Sequence, residues 1–266
     1  MSTRSIIEKW YKTLEFPKEF DREFYEALDS IDIPPDTAVE NYDMKCKDGK
    51  RNLLAFLYMC QRFQDQARER DIPEDVIVAT LQDLVIWTKV YTDLEGTLYL
   101  GELGWLRLHM QFEMFRLGRL QFRMNGCCRD IPECGLKKGD PIMEIHIPRG
   151  SKLDIEECHR SFAWAREFFP RHFPEYSYDY FTCNSWLLDE DLQEYLPETS
   201  NILRFGNLFT RVYAKEFNCL LSSVFKDDTT EENLSQAVPT SVFAQKVKDA
   251  VLGGKKFHMT LGVIAK

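Results

Sequence analysis

The sequence lacks any apolar run approaching the length that crosses a membrane, which is about 20 residues. Its amino-terminal segment, MSTRSIIEKWYKTLEF, also lacks the apolar core of a secretory signal, so we expect a cytoplasmic protein. Positive charge is in short supply, because 34 Lys and Arg stand against 43 Asp and Glu, a formal net charge of −9. We therefore expect neither nucleic acid nor a membrane as a partner, since contacts to phosphates dominate both kinds of binding.

Glycine and proline are also scarce, with 13 and 11 residues among 266, which excludes a fibrous or linker-dominated chain. The eight cysteines are spread along the chain and form no dense framework of the kind that small secreted domains use. We expect most of them to be free thiols that pack as small apolar side chains. Apolar residues make up 44% of the sequence, enough for the core of one or two domains.

One cluster of cysteines invites comparison with a metal site. Cys127, Cys128 and Cys134 lie close together in the segment CCRDIPEC. Adjacent cysteines rarely bind one zinc ion, and no second pair of cysteines or histidines stands at the usual spacing. We expect no metal.

The first 95 residues predict helices. Apolar residues recur at helical spacing in PKEFDREFYEALDSI and in the segment from Leu53 to Phe63. The paired prolines of IDIPPDT break the pattern, and Pro73 with the acidic residues after it predicts another helix start. Gly96 ends this part of the chain, so we predict a helical amino-terminal domain over residues 1–95.

The remaining residues, 96–266, alternate between helical and strand patterns. They predict a helix ending at Gly118, the strand RLQFRM, a loop and the strand PIMEIHIP, followed by a turn and a helix. Next come the strand YDYFTCNSWLLD, a short helix, a long strand interrupted at Gly206, a helix and a closing strand. This order predicts the α/β (α+β) class, with helices packed on a mixed sheet.

The turn after PIMEIHIP is a candidate anion site. Arg149, Gly150, Ser151 and Lys152 join the strand to a helix that begins near Asp154. The free N–H groups and the dipole of a helix amino terminus suit a pyrophosphate, and the two cations add charge. The same pattern also fits an ordinary strand–turn–helix junction, because acidic residues in the first helical turn satisfy the helix end themselves.

Several long and unusual segments support a family resemblance. HIPRG, FTCNSWLLD and SNILRF resemble the bacterial two-domain acyltransferases, which combine a helical N-acyltransferase amino-terminal domain with a GNAT-like carboxyl-terminal domain. FRLGRLQF resembles the beginning of the second domain, and residues 1–95 resemble the first. The resemblance covers nearly the whole chain.

The resemblance implies transfer of an acyl group from acyl-CoA, with acetyl-CoA the simplest donor, to a small-molecule amine. In GNAT enzymes two central parallel strands part, and the thioester lies in the gap between them. On this mapping the strands are PIMEIHIP and YDYFTCNSW, and the pyrophosphate lies on the turn after the first strand. The implied cofactor-binding residues are Ile147, Arg149, Gly150, Ser151, Lys152 and Leu153. RGSKL has one glycine where the family's turn has two.

Acyl transfer to an amine needs a base that accepts the proton of the amine. Glu144 and His146 alternate on the strand before the turn and share one face, so they are candidates for this role. Tyr195, on the short helix that follows the partner strand, is a candidate acid near the leaving sulfur. The alternation of Glu144 and His146 also fits a strand edge that faces solvent.

The partner strand carries the remaining catalytic candidates. Cys183, Asn184 and Ser185 lie in the middle of its aromatic pattern. Cys183 also fits a small core residue. Buried polar groups need hydrogen-bond partners, so Asn184 and Ser185 fit structural hydrogen bonds as well as substrate contacts.

Three functions remain open at this point. The first is an acyl-CoA N-acyltransferase whose helical domain shapes the acceptor side of the cleft. The second is a non-catalytic protein of the same fold that binds acyl-CoA or another small ligand. The third is a protein–protein interaction module that uses the helical part. The sequence does not determine the oligomeric state.

Overall fold

The computed structural model describes residues 1–217, 220–225 and 228–266. This part of the chain forms two compact units whose segments alternate along the sequence. The first unit contains residues 1–123, 147–151 and 164–176, and the second contains residues 124–146, 152–163 and 177–266. The domain boundary at residue 95 stays a prediction. None of the described helices has the length and apolar character that crossing a bilayer requires.

Helices dominate the amino-terminal part of the chain, as the periodicity predicts. Ser2 and Asp48 cap two of them, each accepting a hydrogen bond from a backbone N–H three residues on. A left-handed glycine, Gly96 with φ 71°, follows the fifth helix. The helices are α1 (Thr3–Thr13), α2 (Asp21–Ser30), α3 (Gly49–Glu69), α4 (Glu74–Leu81), α5 (Asp83–Glu95) and α6 (Leu103–Met110), with a 3₁₀ turn at Lys18–Phe20.

The predicted helix ending at Gly118 was wrong in its second half. Helix α6 ends at Met110, and the chain returns as strand β1 (Met114–Leu117). Phe112 has φ 63°, a left-handed conformation that a helix does not accommodate. The prediction failed because a segment this short matches the helical and the strand period equally well.

Six strands form one mixed sheet in the order β1-β2-β3-β4-β6-β5. Strands β3 and β4 run parallel, while the pairs β1 with β2, β4 with β6, and β5 with β6 are antiparallel. The predicted helical region followed by a mixed sheet is thereby confirmed. The other strands are β2 (Leu120–Gly126), β3 (Pro141–His146), β4 (Tyr180–Ser185), β5 (Thr210–Glu216) and β6 (His258–Ala265).

The later helices are α7 (Ile155–His172), α8 (Asn201–Gly206), α9 (Leu220–Val224) and α10 (Val242–Leu252), with 3₁₀ turns at Trp186–Leu188, Glu190–Glu194 and Leu234–Gln236. The prediction of one long strand interrupted at Gly206 was wrong before Thr210, because α8 occupies that segment. The Ser200 hydroxyl accepts a hydrogen bond from the Ile202 N–H and starts this helix. The helix ends at Gly206. A Cβ atom at this position would lie only 3.0 Å from the carbonyl oxygen of Leu187.

The two faces of the sheet in the second unit have different neighbours. On one face the Phe181 ring lies 5.3 Å from the Phe162 ring of α7. The other face carries a smaller apolar cluster that includes part of the loop after β2. Its buried members are Cys127, Ile131, Leu136, Ile142, Leu261 and Val263. Of the catalytic candidates, Glu144, His146 and Asn184 lie on this second face.

Candidate functional site

Strand register brings side chains from four strands to one face of the sheet. Glu144 of β3 lies opposite Thr182 of β4. Two residues further along β4, Asn184 lies opposite Leu261 of β6, which also lies opposite Tyr213 of β5. Paired residues on neighbouring strands point to the same side, and alternate residues of one strand share that side. All five residues therefore belong to the same face.

Glu144 and His146 form the polar centre of this face. Glu144 Oε2 lies 3.4 Å from His146 Nε2, and both side chains are about three-quarters buried. Asn125 of β2 donates a hydrogen bond from Nδ2 to the same carboxylate oxygen at 2.9 Å. A carboxylate beside an imidazole orients the ring and stabilises the charge that the ring gains when it accepts a proton. The pair can therefore accept a proton from a bound ligand.

Strands β3 and β4 share only a short ladder. Among the described residues, the register pairs Met143 with Phe181 and Glu144 with Thr182, although each strand continues beyond these pairs. Strand β4 stays paired with β6 as far as Ser185. The β3–β4 ladder thus ends before the carboxyl ends of both strands, and His146 lies past its last pair.

A cavity of about 350 Å³ opens on the same face. This volume falls in the range of about 300–1,000 Å³ that small-molecule sites occupy. Two aromatic side chains of the cavity are exposed, Tyr213 by 43% and Phe217 by 58%. The lining residues are Cys128, Arg129, Asn184, Tyr213, Lys215, Phe217, Met259 and Leu261.

The other candidates on β4 lie in structural environments. Cys183 is 1% exposed and alternates to the opposite face. Burial, and then the charge of Glu144, raise the pKa of its thiol, which disfavours the nucleophilic thiolate. The Ser185 hydroxyl accepts a hydrogen bond from the Leu187 N–H and caps the 3₁₀ turn that follows. Of these three neighbouring candidates, only Asn184 lines the cavity.

Tyr195 lies in an apolar cluster of the second unit. Its ring centre is 5.3 Å from that of Phe257, and its carbonyl oxygen accepts a hydrogen bond from Lys246 Nζ. These contacts show that Tyr195 packs against the apolar cluster. Its role as an acid stays a prediction.

Arg119 braces the turn that the resemblance assigns to the pyrophosphate. Its guanidinium donates hydrogen bonds to the carbonyl oxygens of Pro148 at 3.0 Å and Ser151 at 2.8 Å. Gly150 between them has φ 88°, a conformation that favours glycine. The Arg149 guanidinium lies 5.3 Å from the centre of the Trp87 ring. The turn is thus held in one conformation by a buried side chain.

The residues after the turn lead into α7. Lys152 is exposed and Leu153 is partly buried. The Asp154 carboxylate accepts a hydrogen bond from the Glu157 N–H at 3.0 Å and caps the helix, as its position in the sequence predicts. The chain itself therefore satisfies one of the free N–H groups of this helix end.

One cluster in the second unit has the composition of a metal site. Ligand atoms of Asp189, Asp191 and His258 lie within 4.8 Å of one another. Lys255 Nζ, however, lies 2.7 Å from the Asp191 carboxylate, and the His258 N–H donates to Asp189 at 2.6 Å. Lys255 thus offsets one of the two carboxylate charges, and a backbone N–H occupies an oxygen of the other carboxylate. The seven described cysteines are free thiols, and Cys219 lies outside the described residues.

Comparison with known families separates the chain into two consecutive parts. Residues 6–112 match the N-acyltransferase N-terminal domain, and residues 114–264 match the GNAT-like C-terminal domain. The chain belongs to this two-domain N-acyltransferase family. A comparison with curated proteins returned no match.

Solved structures of acyltransferases share the fold of this protein over 97% of its chain. An acyltransferase in complex with decanoyl-CoA and teicoplanin is 23% identical, with a TM-score of 0.79 over 87% of its own chain. An acyltransferase in complex with CoA and 10C-teicoplanin is also 23% identical, with a TM-score of 0.81 over 87% of its chain. An acyltransferase in complex with decanoyl-CoA is 25% identical, with a TM-score of 0.79 over 86% of its chain.

Several residues of these sites escaped the sequence analysis. Arg119 lies about thirty positions before the turn that it braces, and no local pattern links the two. Asn125 likewise reaches Glu144 from another strand. The alternation of Tyr213, Lys215 and Phe217 in the segment VYAKEF was a usable signal, because it places exposed aromatic rings and a cation on one strand face.

Proposed function

We propose that this protein transfers an acyl group from an acyl-CoA thioester to an amine, with the Glu144–His146 pair as the base. The observation that carries the proposal is the 3.4 Å contact between these side chains on the face where β3 leaves β4. Membership in the N-acyltransferase family supports the reaction class. Solved relatives that bind decanoyl-CoA or CoA support acyl-CoA as the donor.

In the proposed reaction, the amine nitrogen attacks the carbonyl carbon of the thioester and forms the new C–N bond. The proton that the nitrogen loses passes to the imidazole of His146, whose positive charge Glu144 stabilises. Asn125 holds the carboxylate of Glu144 in place. The C–S bond then breaks, the thiolate of CoA leaves and takes up a proton from water, and His146 returns its proton to water.

We assign the pyrophosphate of the donor to the turn that follows His146 directly in the chain. Ile147 leads from the strand into this turn, Arg149 and Lys152 supply positive charge, and Gly150 and Ser151 supply backbone N–H groups. Leu153 leads on to the capped helix. The bracing of the turn by Arg119 supports this assignment, because a fixed turn loses little conformational entropy when it binds phosphate.

We assign the amine acceptor to the cavity beside Asn184. Asn184 has an amide that can orient a polar group of the acceptor, and it lies on the same face as Glu144. Acetyl-CoA stays a candidate donor beside longer acyl-CoAs. A cytoplasmic location and a bacterial origin stay predictions.

Release of CoA thiol tests the proposed function. The purified protein is mixed with acetyl-, octanoyl- or decanoyl-CoA and with octylamine or 2-phenylethylamine, and free thiol is followed over time. His146→Gln and Glu144→Gln should each lower kcat by about 100-fold or more, as expected for a general base. His159→Gln, which changes an exposed histidine of α7, is the matched control and should leave kcat unchanged. Binding of acyl-CoA without thiol release from any pair would favour the non-catalytic alternative.

A further inference from the structure

Two cations line the cavity, and the part of the chain that the structure describes gives neither of them an ion-pair partner. Arg129 and Lys215 both reach it, and neither forms an ion pair with a carboxylate among the described residues. The protein as a whole carries a net charge of −9. Two cations in one apolar cavity of an acidic protein provide a local site for an anion.

Contacts around Arg129 explain why its charge stays available. Its guanidinium lies 3.7 Å from the centre of the Tyr213 ring, a cation–π contact that holds it over the cavity. The neighbouring carboxylate, Asp130, accepts a hydrogen bond from the Lys138 N–H at 2.9 Å and lies 3.9 Å from Lys137 Nζ. The nearest carboxylate in the sequence is therefore engaged elsewhere.

Lys215 is held in a similar position by strand alternation. It lies opposite Met259 on β6, on the face that carries the cavity, while its neighbour Glu216 alternates to the other face. Phe217, Met259 and Leu261 supply the apolar surface between the polar groups. The cavity thus has apolar walls and, at the end lined by Arg129 and Lys215, positive charge.

The register also gives the distance between the two ends. Asn184, Leu261 and Tyr213 lie in one row across β4, β6 and β5. Neighbouring strands are about 4.8 Å apart, so the row extends over roughly 10 Å from Asn184 to the strand of the cations. Glu144 and His146 lie one strand beyond Asn184, so a ligand that reaches both ends needs polar groups at least about that far apart.

We infer that the acceptor is an amine with an extended apolar body and a carboxylate at least about 10 Å from the amine, bound by Arg129 and Lys215. This inference rests on the proposed function, because the acceptor's amine is the group that lies towards Glu144 and His146. The guanidinium and the ammonium each donate charge-assisted hydrogen bonds to the carboxylate. The apolar body covers the Met259 and Leu261 side chains.

A matched pair of amines tests the inference. 8-Aminooctanoate carries an amine, an apolar chain and a carboxylate, whereas octylamine has the same amine and chain without the carboxylate. The ratio of kcat/KM for the two should exceed about ten in the wild type, which is the effect of one charge-assisted contact. The ratio should fall to about one in the double variant Arg129→Gln, Lys215→Gln. Lys18→Gln, which removes an exposed charge elsewhere, should retain the wild-type ratio.

Titration calorimetry supplies a second measurement that needs no turnover. The wild type should bind 8-aminooctanoate at least about tenfold more tightly than octylamine, and the double variant should lose this preference. Equal binding of both amines by the wild type would overturn the inference, as would a double variant that loses affinity for CoA instead. Preferential binding of 8-aminooctanoate without any thiol release would instead contradict the proposed function and leave the anion site intact.

Discussion

Asn125 Nδ2 donates a hydrogen bond to Glu144 Oε2, the same oxygen that lies 3.4 Å from His146 Nε2. The carboxylate is thus held between an amide on one strand and an imidazole on another part of its own strand. This arrangement resembles the way in which an acid orients a catalytic histidine in other acyl-transfer enzymes. Several outcomes follow from it and from the contacts around it.

Asn125 is expected to position the base. Asn125→Ala removes the hydrogen bond to Glu144, so kcat for thiol release should fall about tenfold while KM for acyl-CoA stays the same. Asn125→Asp should be more damaging, because it places a second negative charge beside the carboxylate. Steady-state kinetics of both variants measures the effect. Equal activity of the wild type and both variants would exclude a positioning role.

Gly150 should be required for the conformation of the turn to which we assign the pyrophosphate of acyl-CoA. A side chain at φ 88° is strained by about 1–2 kcal/mol, although nothing lies within 4 Å of the position its Cβ would occupy. Gly150→Ala should therefore weaken CoA binding severalfold in calorimetry. Gly104→Ala in α6, where space is also open, is the control and should leave CoA binding unchanged. Unchanged CoA affinity in Gly150→Ala would remove the turn from the binding site.

The charges of the turn should contribute to the same binding. Arg149→Ala with Lys152→Ala removes two cations, so the Kd for CoA should rise by about tenfold or more. The affinity of the wild type should also fall with rising salt more steeply than that of the variant, because screening acts on the lost contacts. Circular dichroism should show an unchanged fold. A double variant that binds CoA like the wild type would show that the pyrophosphate lies elsewhere.

The buried Asp83 should make the first unit sensitive to acid. Burial alone would raise its pKa, but the hydrogen bond and the charge of His109, with the Trp105 N–H at 2.7 Å, lower it below the ordinary value. This stabilisation is present above the unfolded pKa of about 3.9 and is lost as the pH falls through the lower folded value.

Asp83→Asn should therefore lower the free energy of unfolding at pH 7 by about 3 kcal/mol, since one partner of a buried pair is removed. The variant should also lose less stability than the wild type as the pH falls from 5 to 3. Denaturant unfolding at several pH values measures both effects. Asp93→Asn, at an exposed position of the same helix, should behave like the wild type. If the free energies of unfolding of the wild type and of Asp83→Asn fell by the same amount between pH 5 and pH 3, this account would be contradicted.

Cys128 should be the most reactive of the described cysteines. It is exposed and lines the cavity, whereas Cys127 beside it is buried and has its pKa raised by burial. Iodoacetamide should therefore alkylate Cys128 before Cys127, and 8-aminooctanoate should slow the reaction. Peptide mass spectrometry separates the sites, and Cys128→Ser identifies the peptide. Faster labelling of Cys127 would show that the loop is arranged differently.

The sequence alone determined the helical character of the amino-terminal region, the mixed sheet after it and the placement of Glu144 and His146 on one strand face. These depend on the helical period of apolar residues and on alternation along one strand, which are local and periodic. The two errors, at Met114–Leu117 and Asn201–Gly206, fall where the pattern is too short for one period to exclude the other.

Only the tertiary structure decided which candidates lie on the same face of the sheet. Cys183 and Asn184 are neighbours in the sequence, yet one is buried on one face of β4 and the other lines the cavity on the opposite face. Arg129 meets the Tyr213 ring across a long stretch of chain, and Arg119 reaches Pro148 and Ser151 from the turn between β1 and β2. Such contacts depend on strand order and register, which long-range packing selects and which no local spacing of residues encodes.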